Sequence, residues 1–594
     1  MKGLVVLMFL LVVSIKIFLV VTHASLSEET ALFWTESALQ YRNAKLVAEY
    51  GGLPVVDLKA QYPEGLKIRE RLTPLMELAS GLLYRYLIPR AVPFHLYIIV
   101  FISLFSSLGV IPIFLILKTI LKDPIKAMVG SLLYAVTPAL YTTVTAPGFE
   151  LQDFALPLIF FHLYFFLEGI ERKDDYKFLI SGAFLFAALA AWHMTQFYYL
   201  LFILYFTLCF LTKKEFPFRS VCFIAGFAFL SGIILPPQRS ARFLFSLPML
   251  ITYSLLISIL LKRRLIFFLL VIFAFLLTRY MVISLVPEYR FVYGLIIDKI
   301  RNFGCRPSDP TGYSWETLVM WVSPFIGPDL GTVVRSLGML LPLGLLGIFW
   351  GIKSRGSVTL ISFLTGIFLP LYLLFIRLDA FLVWFLAVSL GDLLKKKAGT
   401  YLVGLAIVIN AFLIFQQPVR VISPPRNYLL DLIRFLRYNT NRNDAILSSF
   451  PLGPSILAYA DRPILLHPKF EAEGVTEKIK EFEHLIYQDE ESFYRFCLRY
   501  RARWFIYQVD MLLSRNQESM RFRTHNLNLN RQSLCFQFHF SPNTLNHFEL
   551  VYTNPNYRIF KVLKPGEKPK VRKKVYFRIY DPDRVHPVDI GVYD

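Results

Sequence analysis

Between Gly3 and about residue 416 the chain returns repeatedly to apolar runs of about 20 residues, each able to cross a hydrocarbon core of about 30 Å. Backbone polar groups in lipid must be satisfied within the segment that carries them, so such runs predict a polytopic α-helical membrane protein. The first run, GLVVLMFLLVVSIKIFLVV from Gly3, reads as the first span. Its exit, THASLSEET, would also suit removal of a signal peptide after Ala24.

The formal net charge of +21 invites a nucleic-acid reading, but the positions of the charges oppose it. Basic clusters fill short gaps between apolar runs: Lys118/Lys122/Lys126, Arg172/Lys173/Lys177, Lys213/Lys214/Arg219, Lys262/Arg263/Arg264, Lys353/Arg355 and Lys395/Lys396/Lys397. Short basic loops mark the cytoplasmic side. Taking them as inside predicts about 13 spans in a transmembrane domain over 1–416 and everything beyond outside. Arg239 and Arg242 break the pattern, in a short loop assigned to the outside.

Two large external loops are expected, at 23–94 and 286–332. In the first, Ser25 and Glu28 have capping-box spacing, which predicts a helix starting just outside the membrane. After residue 416 the composition becomes that of a soluble domain. LLDLIRFLRYN and PSILAYA read as helices, as do two stretches over roughly 475–501. AILSSF, RPILLHP and RWFIYQV read as strands, and FELVYTNPNYRIFKVL as two strands around Asn-Pro-Asn. Alternation of this kind predicts an extracytoplasmic α/β domain over 417–594, ending in a basic, then Asp/Pro-rich tail. The five cysteines have no metal-ligand spacing. Cys305, Cys497 and Cys535 fall outside the spans and could supply one disulfide.

No GxGxxG, GxxxxGK[ST], HExxH or GxSxG pattern occurs, so nucleotide-driven and zinc-protease chemistry has no support. A few polar groups at membrane edges remain. Glu36, in FWTESALQYRNAKLV, is either a solvated helix glutamate or a working carboxylate. Glu150 and Asp153, in APGFELQDF, could hold a divalent cation, or Asp153 could simply cap a helix. His193, in AAWHMTQFYY, reads first as structural. Arg377, in LLFIRLDAFLVWF, could grip a lipid phosphate in two-pronged fashion or be neutralised by Asp379. His467 and Glu471 are four apart in DRPILLHPKFEAEG, but the intervening proline opposes a helical metal pair.

In this order, these pieces resemble the GT-C glycosyltransferases, which use polyprenyl-phosphate-linked sugars. Glu36-x4-Tyr41-Arg42 is similar to the first acidic motif of the oligosaccharyltransferase catalytic subunit. Asp57, Tyr62, Pro63 and Gly65 are similar to the stretch that follows it. The second acidic motif falls at Glu150–Asp153 and the donor-phosphate arginine at Arg377. The protein C-mannosyltransferases (Dpy-19-like) resemble the chain more specifically. TESALQYRNAK (Thr35–Lys45) matches their Thr-Glu-x-x-Leu-x-Tyr-x-x-x-Lys segment. Arg462, Pro463, Ile464, His467, Pro468, Glu471 and Gly474 match their second motif, with Phe470 in place of its tyrosine. RLDAFL is also similar to their Arg-Leu-x-x-Phe-Leu. The oligosaccharyltransferases' Trp-Trp-Asp-Tyr-Gly is replaced by SSFPLGPS, and their Asp-Asn-Glu form is missing from the second acidic motif.

The resemblance implies an integral membrane glycosyltransferase of a bacterial or archaeal cell membrane or of the ER. It would transfer mannose or another hexose from a lipid-linked donor to a polypeptide acceptor, with no nucleic acid partner. Glu36 would be catalytic and Arg377 would bind the donor phosphate. Tyr41, Arg42, Lys45, Tyr62, His193, Arg462, His467 and Glu471 become donor- or acceptor-site candidates. No cofactor is certain; a Mg or Mn ion at Glu36, Glu150 and Asp153 is the candidate. Oligosaccharyltransferase-like transfer of a pyrophosphate-linked glycan, or glycosylation of a lipid or polysaccharide, are the alternatives. A transporter would show mid-span charges and repeat symmetry instead.

Overall fold

A computed structural model describes residues 2–23, 26, 29–30, 32–141, 148–215, 217–284, 291–321, 325–355, 359–416, 426–570, 577–580 and 587–590. Helices dominate up to residue 416, and the protein is a membrane protein. Among the described residues, five helices are long and apolar enough to cross a bilayer, and one pair bent by 79° would make a sixth. Four more apolar helices have 10–17 residues, so length alone does not reach the 13 spans read from the sequence. Helix α1 (Lys2–His23) coincides with the first apolar run.

Helix α2 (Thr35–Tyr50) follows, made mostly of good helix formers. Ser25 and Glu28 lie outside the described residues. The helix starts after Trp34, which makes no side-chain cap, and ends at Gly51. There φ is +81°, and the glycine N–H donates to Val47 O at 2.8 Å, a left-handed stop that suits glycine.

The Leu75–Leu87 helix packs beside α2 without room for a side chain between them. A Cβ on Gly81 would come within 2.5 Å of the Val47 Cβ. The Leu151–Arg172 span has Glu150 at its N-cap, so Asp153 is a first-turn residue and not the cap. The Asp379–Leu394 helix is buried almost throughout, with Phe381, Trp384 and Phe385 fully enclosed.

The C-terminal region forms a four-stranded sheet from β1 (Ile446–Leu447), β2 (Trp504–Gln508), β3 (Phe548–Thr553) and β4 (Tyr557–Val562), in the order β1-β2-β4-β3. β1 is parallel to β2 and the other pairs are antiparallel. Helices at Arg426–Asn439, Val475–Leu485 and Glu490–Arg499 flank it, as the sequence predicts. The tail contributes a two-stranded ribbon, Phe577–Tyr580 with Pro587–Ile590. All five cysteines are free, and Cys497 and Cys535 are buried, so no disulfide staples this region.

RPILLHP is not a full strand. It makes isolated parallel bridges at Ile464, to Ile446 on one side and to Ala60 on the other. Pro463 and Pro468 have no N–H to give to a ladder, which limits the pairing. Ile464 N donates to Lys59 O and Tyr62 N donates to Ile464 O, both at 2.8 Å. This short stitch fastens the first large loop to the C-terminal domain, and it brings residues 462–474 onto α2.

Candidate functional site

Glu36 stands in the first turn of α2, and Lys469, from the stitched segment, places its ammonium on the Glu36 carboxylate. The lysine side chain is only 4% exposed, and its other near acid is Glu471, with Nζ 3.9 Å from Oε1. Gln40, one turn along α2, donates to Glu36 Oε1 at 3.3 Å. Burial would push the Glu36 carboxyl upward, but Lys469 and Arg377 outweigh it and hold the group below the ordinary glutamate range. The same pairing raises Lys469 above the ordinary lysine range against its own desolvation. Glu36 is therefore an ionised, partly enclosed carboxylate held between two cations.

Arg377 sits in a single 3-10 turn, Ile376–Leu378, before the Asp379–Leu394 helix. Its Nε donates to Gln152 Oε1 at 2.9 Å, and its guanidinium lies 5.8 Å from the Trp192 ring centre and 5.6 Å from that of Phe325. Glu36, Glu150 and Asp153 are all within its electrostatic reach. Glu150 accepts from Ser37 Oγ at 2.8 Å, which ties the second acidic pair to α2. Burial, then Glu36, push its carboxyl above the usual range. From α1, Lys16 faces Asp153 electrostatically and donates to Ser106 Oγ at 2.6 Å.

The donor set does not suit a metal ion. Lys469 occupies the Glu36 carboxylate and Ser37 that of Glu150. Among the described residues no three His, Cys, Asp or Glu side chains converge on one point. Among the described residues Glu36, Glu150 and Asp153 do not form a ready-made cage for the expected cation. Two built-in cations, Lys469 and Arg377, stand beside the carboxylates instead.

The other candidates divide into those near Glu36 and Lys469 and those that brace the segments carrying them. His193 belongs to the first group. Its Nε2 is 3.3 Å from Arg71 O, and Glu471 and Lys469 are its charged neighbours. Burial, the largest effect, holds it below the usual histidine range. Tyr41 and Lys45 both donate to Glu29 at 2.7 Å, and Arg42 forms a two-pronged pair with Asp57. These three leave α2 away from Glu36 and fix its orientation. Tyr62 works through its backbone, whose carbonyl accepts from Lys478 Nζ at 3.2 Å.

Arg462 spends its guanidinium on Ala460 O, Arg437 O, Thr440 O and Thr440 Oγ1 at 2.7–2.9 Å. His467 Nδ1 accepts from Lys469 N at 3.2 Å, so the proton resides on Nε2, which donates to Gln61 Oε1 at 3.2 Å. Burial, aided by Lys469 and Lys478, lowers this histidine to about 3 and keeps it neutral. Arg462 and His467 thus shape the loop that delivers Lys469. Sequence reasoning passed over Lys469, although it lies inside the quoted motif; a lysine between two motif residues was the available signal.

With this geometry in view, the likeness to known proteins is informative. The family model described as oligosaccharyl transferase STT3, N-terminal, matches residues 41–299, and the Dpy19 model, Q-cell neuroblast polarisation, matches residues 385–562. Glu36 and Arg377 both lie outside the matched segments. The archaeal oligosaccharyltransferase AglB from Archaeoglobus fulgidus, in complex with an inhibitory peptide and a dolichol-phosphate, superposes with a TM-score of 0.63. Identity is 12%, over 92% of this chain and 79% of that one. The oligosaccharyltransferase of the same organism, tethered with an acceptor peptide containing the NVT sequon, gives 0.62 at 12% identity with the same coverage. No curated protein sequence matches the chain. At such identity the structural likeness is one of fold.

Proposed function

We propose that this membrane glycosyltransferase catalyses a C-mannosyltransferase-like reaction: one hexose, such as mannose, passes from a polyprenyl-phosphate donor to a polypeptide side chain on the extracytoplasmic face. The observation that carries this reading is the pairing of an ionised Glu36 with Lys469 beside Arg377.

A sugar on a lipid phosphate is already activated. As the acceptor atom bonds to the anomeric carbon, the bond from that carbon to the phosphate oxygen breaks, and charge grows on the departing lipid phosphate. Arg377, steadied by Gln152 and its aromatic neighbours, would hold that phosphate more strongly as the charge develops. Glu36 would take the proton the acceptor loses, a role worth typically about 10²–10⁴-fold. Lys469 keeps Glu36 ionised and aimed. The basic clusters on the opposite ends of the apolar runs support an extracytoplasmic placement of this group of residues and of the C-terminal domain.

The test is incubation of the purified protein with dolichyl-phosphate-mannose and a Trp-x-x-Trp peptide, read by mass spectrometry. A hexose adduct on tryptophan supports the reading. Transfer only from a pyrophosphate-linked glycan to an Asn-x-Ser/Thr peptide would replace it with the oligosaccharyltransferase-like alternative, and labelling of lipid alone would remove the protein acceptor.

A further inference from the structure

Along α2, Glu36, Gln40 and Asn43 follow one another at i, i+4 and i+7, and so share a face. The Leu75–Leu87 helix runs parallel to α2: Arg85 lies against Gly51 and donates to Ala48 O and Glu49 O, and one turn earlier Gly81 lies against Ala44 and Val47. Continuing that register by one turn sets Glu77 level with Gln40 and Asn43, and Glu36 and Lys469 both act on its carboxyl. The three side chains are 0%, 1% and 2% exposed for Gln40, Asn43 and Glu77. Yet Gln40 Oε1, Asn43 Nδ2 and Oδ1, and Glu77 Oε2 have no hydrogen-bond partner among the described residues. Buried polar atoms are rarely left unpaired, and four in one seam point to bridging water. The charged groups facing Glu77 are Lys469 from the stitched segment and Glu36 from α2; Tyr97, packed from the following helix, gives its hydroxyl to Ser80 O instead.

We propose that Glu77 is a relay residue: waters held by Gln40, Asn43 and Glu77 join its carboxyl to that of Glu36, and the two glutamates exchange the proton released by sugar transfer. The inference rests on Glu36 being the base. After transfer Glu36 is a neutral acid and Lys469 has lost its counter-ion. An O–H bond then breaks at Glu36 and, through the intervening water, one forms at the ionised Glu77. Lys469 regains its partner, and Glu77 yields the proton to water. Burial, opposed mainly by Lys469, lifts the Glu77 carboxyl to about 7, where it can both take and release a proton.

The experiment is an infrared pH titration of the protonated-carboxyl band on the full chain in nanodiscs, without donor or acceptor. A carboxyl that keeps its proton up to about pH 7 is expected in the wild type and lost in Glu77→Gln. In Glu36→Gln it should titrate at lower pH, because a neighbouring negative charge is gone. The Glu77 contribution is the wild-type spectrum minus that of Glu77→Gln, since Glu150 also keeps its proton above the usual carboxylate range; a difference without a component titrating near pH 7, or one that ignores Glu36→Gln, overturns the proposal. In quench-flow with dolichyl-phosphate-mannose and the tryptophan peptide, Glu77→Gln should complete a first turnover and then slow by about 10²-fold, the low end for loss of a proton-transfer partner. Equal slowing of both phases would make Glu77 merely structural and overturn the relay. Because the band is read without substrates, failure of the catalytic reading of Glu36 shows separately, as transfer that persists in Glu36→Gln.

Discussion

Lys469 and Glu36 are 433 residues apart in sequence, and one hydrogen-bonded ion pair joins them. The pair needs the stitch between Ile464 and the first large loop, because that stitch carries Lys469 to α2. Removing one member of a buried pair leaves the other charge uncompensated, at a cost of about 3–5 kcal/mol. Lys469→Met is therefore expected to lower the thermal midpoint and to cut turnover together, with Lys469→Arg restoring part of both. Turnover as fast as wild type in the methionine variant would remove Lys469 from the site.

Arg377→Ala should weaken donor binding by roughly 2–5 kcal/mol, the range for loss of a desolvated charge partner. Lysine should recover only part of this, since an ammonium cannot make the two-pronged contact of a guanidinium. Titration with a polyprenyl-phosphate sugar measures it. Unchanged affinity would limit Arg377 to its contact with Gln152.

Chelator should leave activity intact, because the carboxylates near Glu36 are engaged by Lys469 and Ser37 and do not converge on a metal position. Asp153→Asn should accordingly be milder than Glu36→Gln. Activity abolished by chelator and restored by Mn or Mg would contradict this.

Glu77 gives stability an unusual pH dependence. The folded chain keeps its proton to about pH 7, whereas the unfolded chain gives it up from about 4.5. Folding thus binds a proton in that window, and stability is lost as pH rises through it and levels off above it. The full effect is about 3.5 kcal/mol at most, at about 1.4 kcal/mol per pKa unit. The difference in thermal midpoint between Glu77→Gln and wild type should therefore grow in the variant's favour from pH 5 to pH 8. A constant difference would mean that Glu77 ionises normally.

Much of this was legible in the sequence because it is written locally. The apolar runs announced the spans, helix-forming residues announced α2, and β-branched and aromatic runs announced β2, β3 and β4. The cap expected at Ser25 and Glu28 lies outside the described residues, and α2 itself begins at Thr35. RPILLHP looked like a strand because apolar residues dominate it, while its two prolines restrict it to bridges. The ion pair at Glu36 was not legible either, since a linear sequence does not say that a lysine from the far domain lies on that carboxylate. Glu77 escaped notice for the same reason: it stands on an ordinary amphipathic helix, and only the packing of that helix on α2 buries it beside Lys469.

Glu36→Gln is the most direct test of the central claim. Glutamine keeps the shape and one acceptor oxygen for Lys469 while removing the basic carboxylate. Donor affinity and sugar transfer to the tryptophan peptide are measured side by side on the purified variant. The account predicts nearly unchanged donor affinity with turnover down by about 10² or more. Full transfer activity in Glu36→Gln would contradict it, leaving the ion pair with Lys469 as a structural brace.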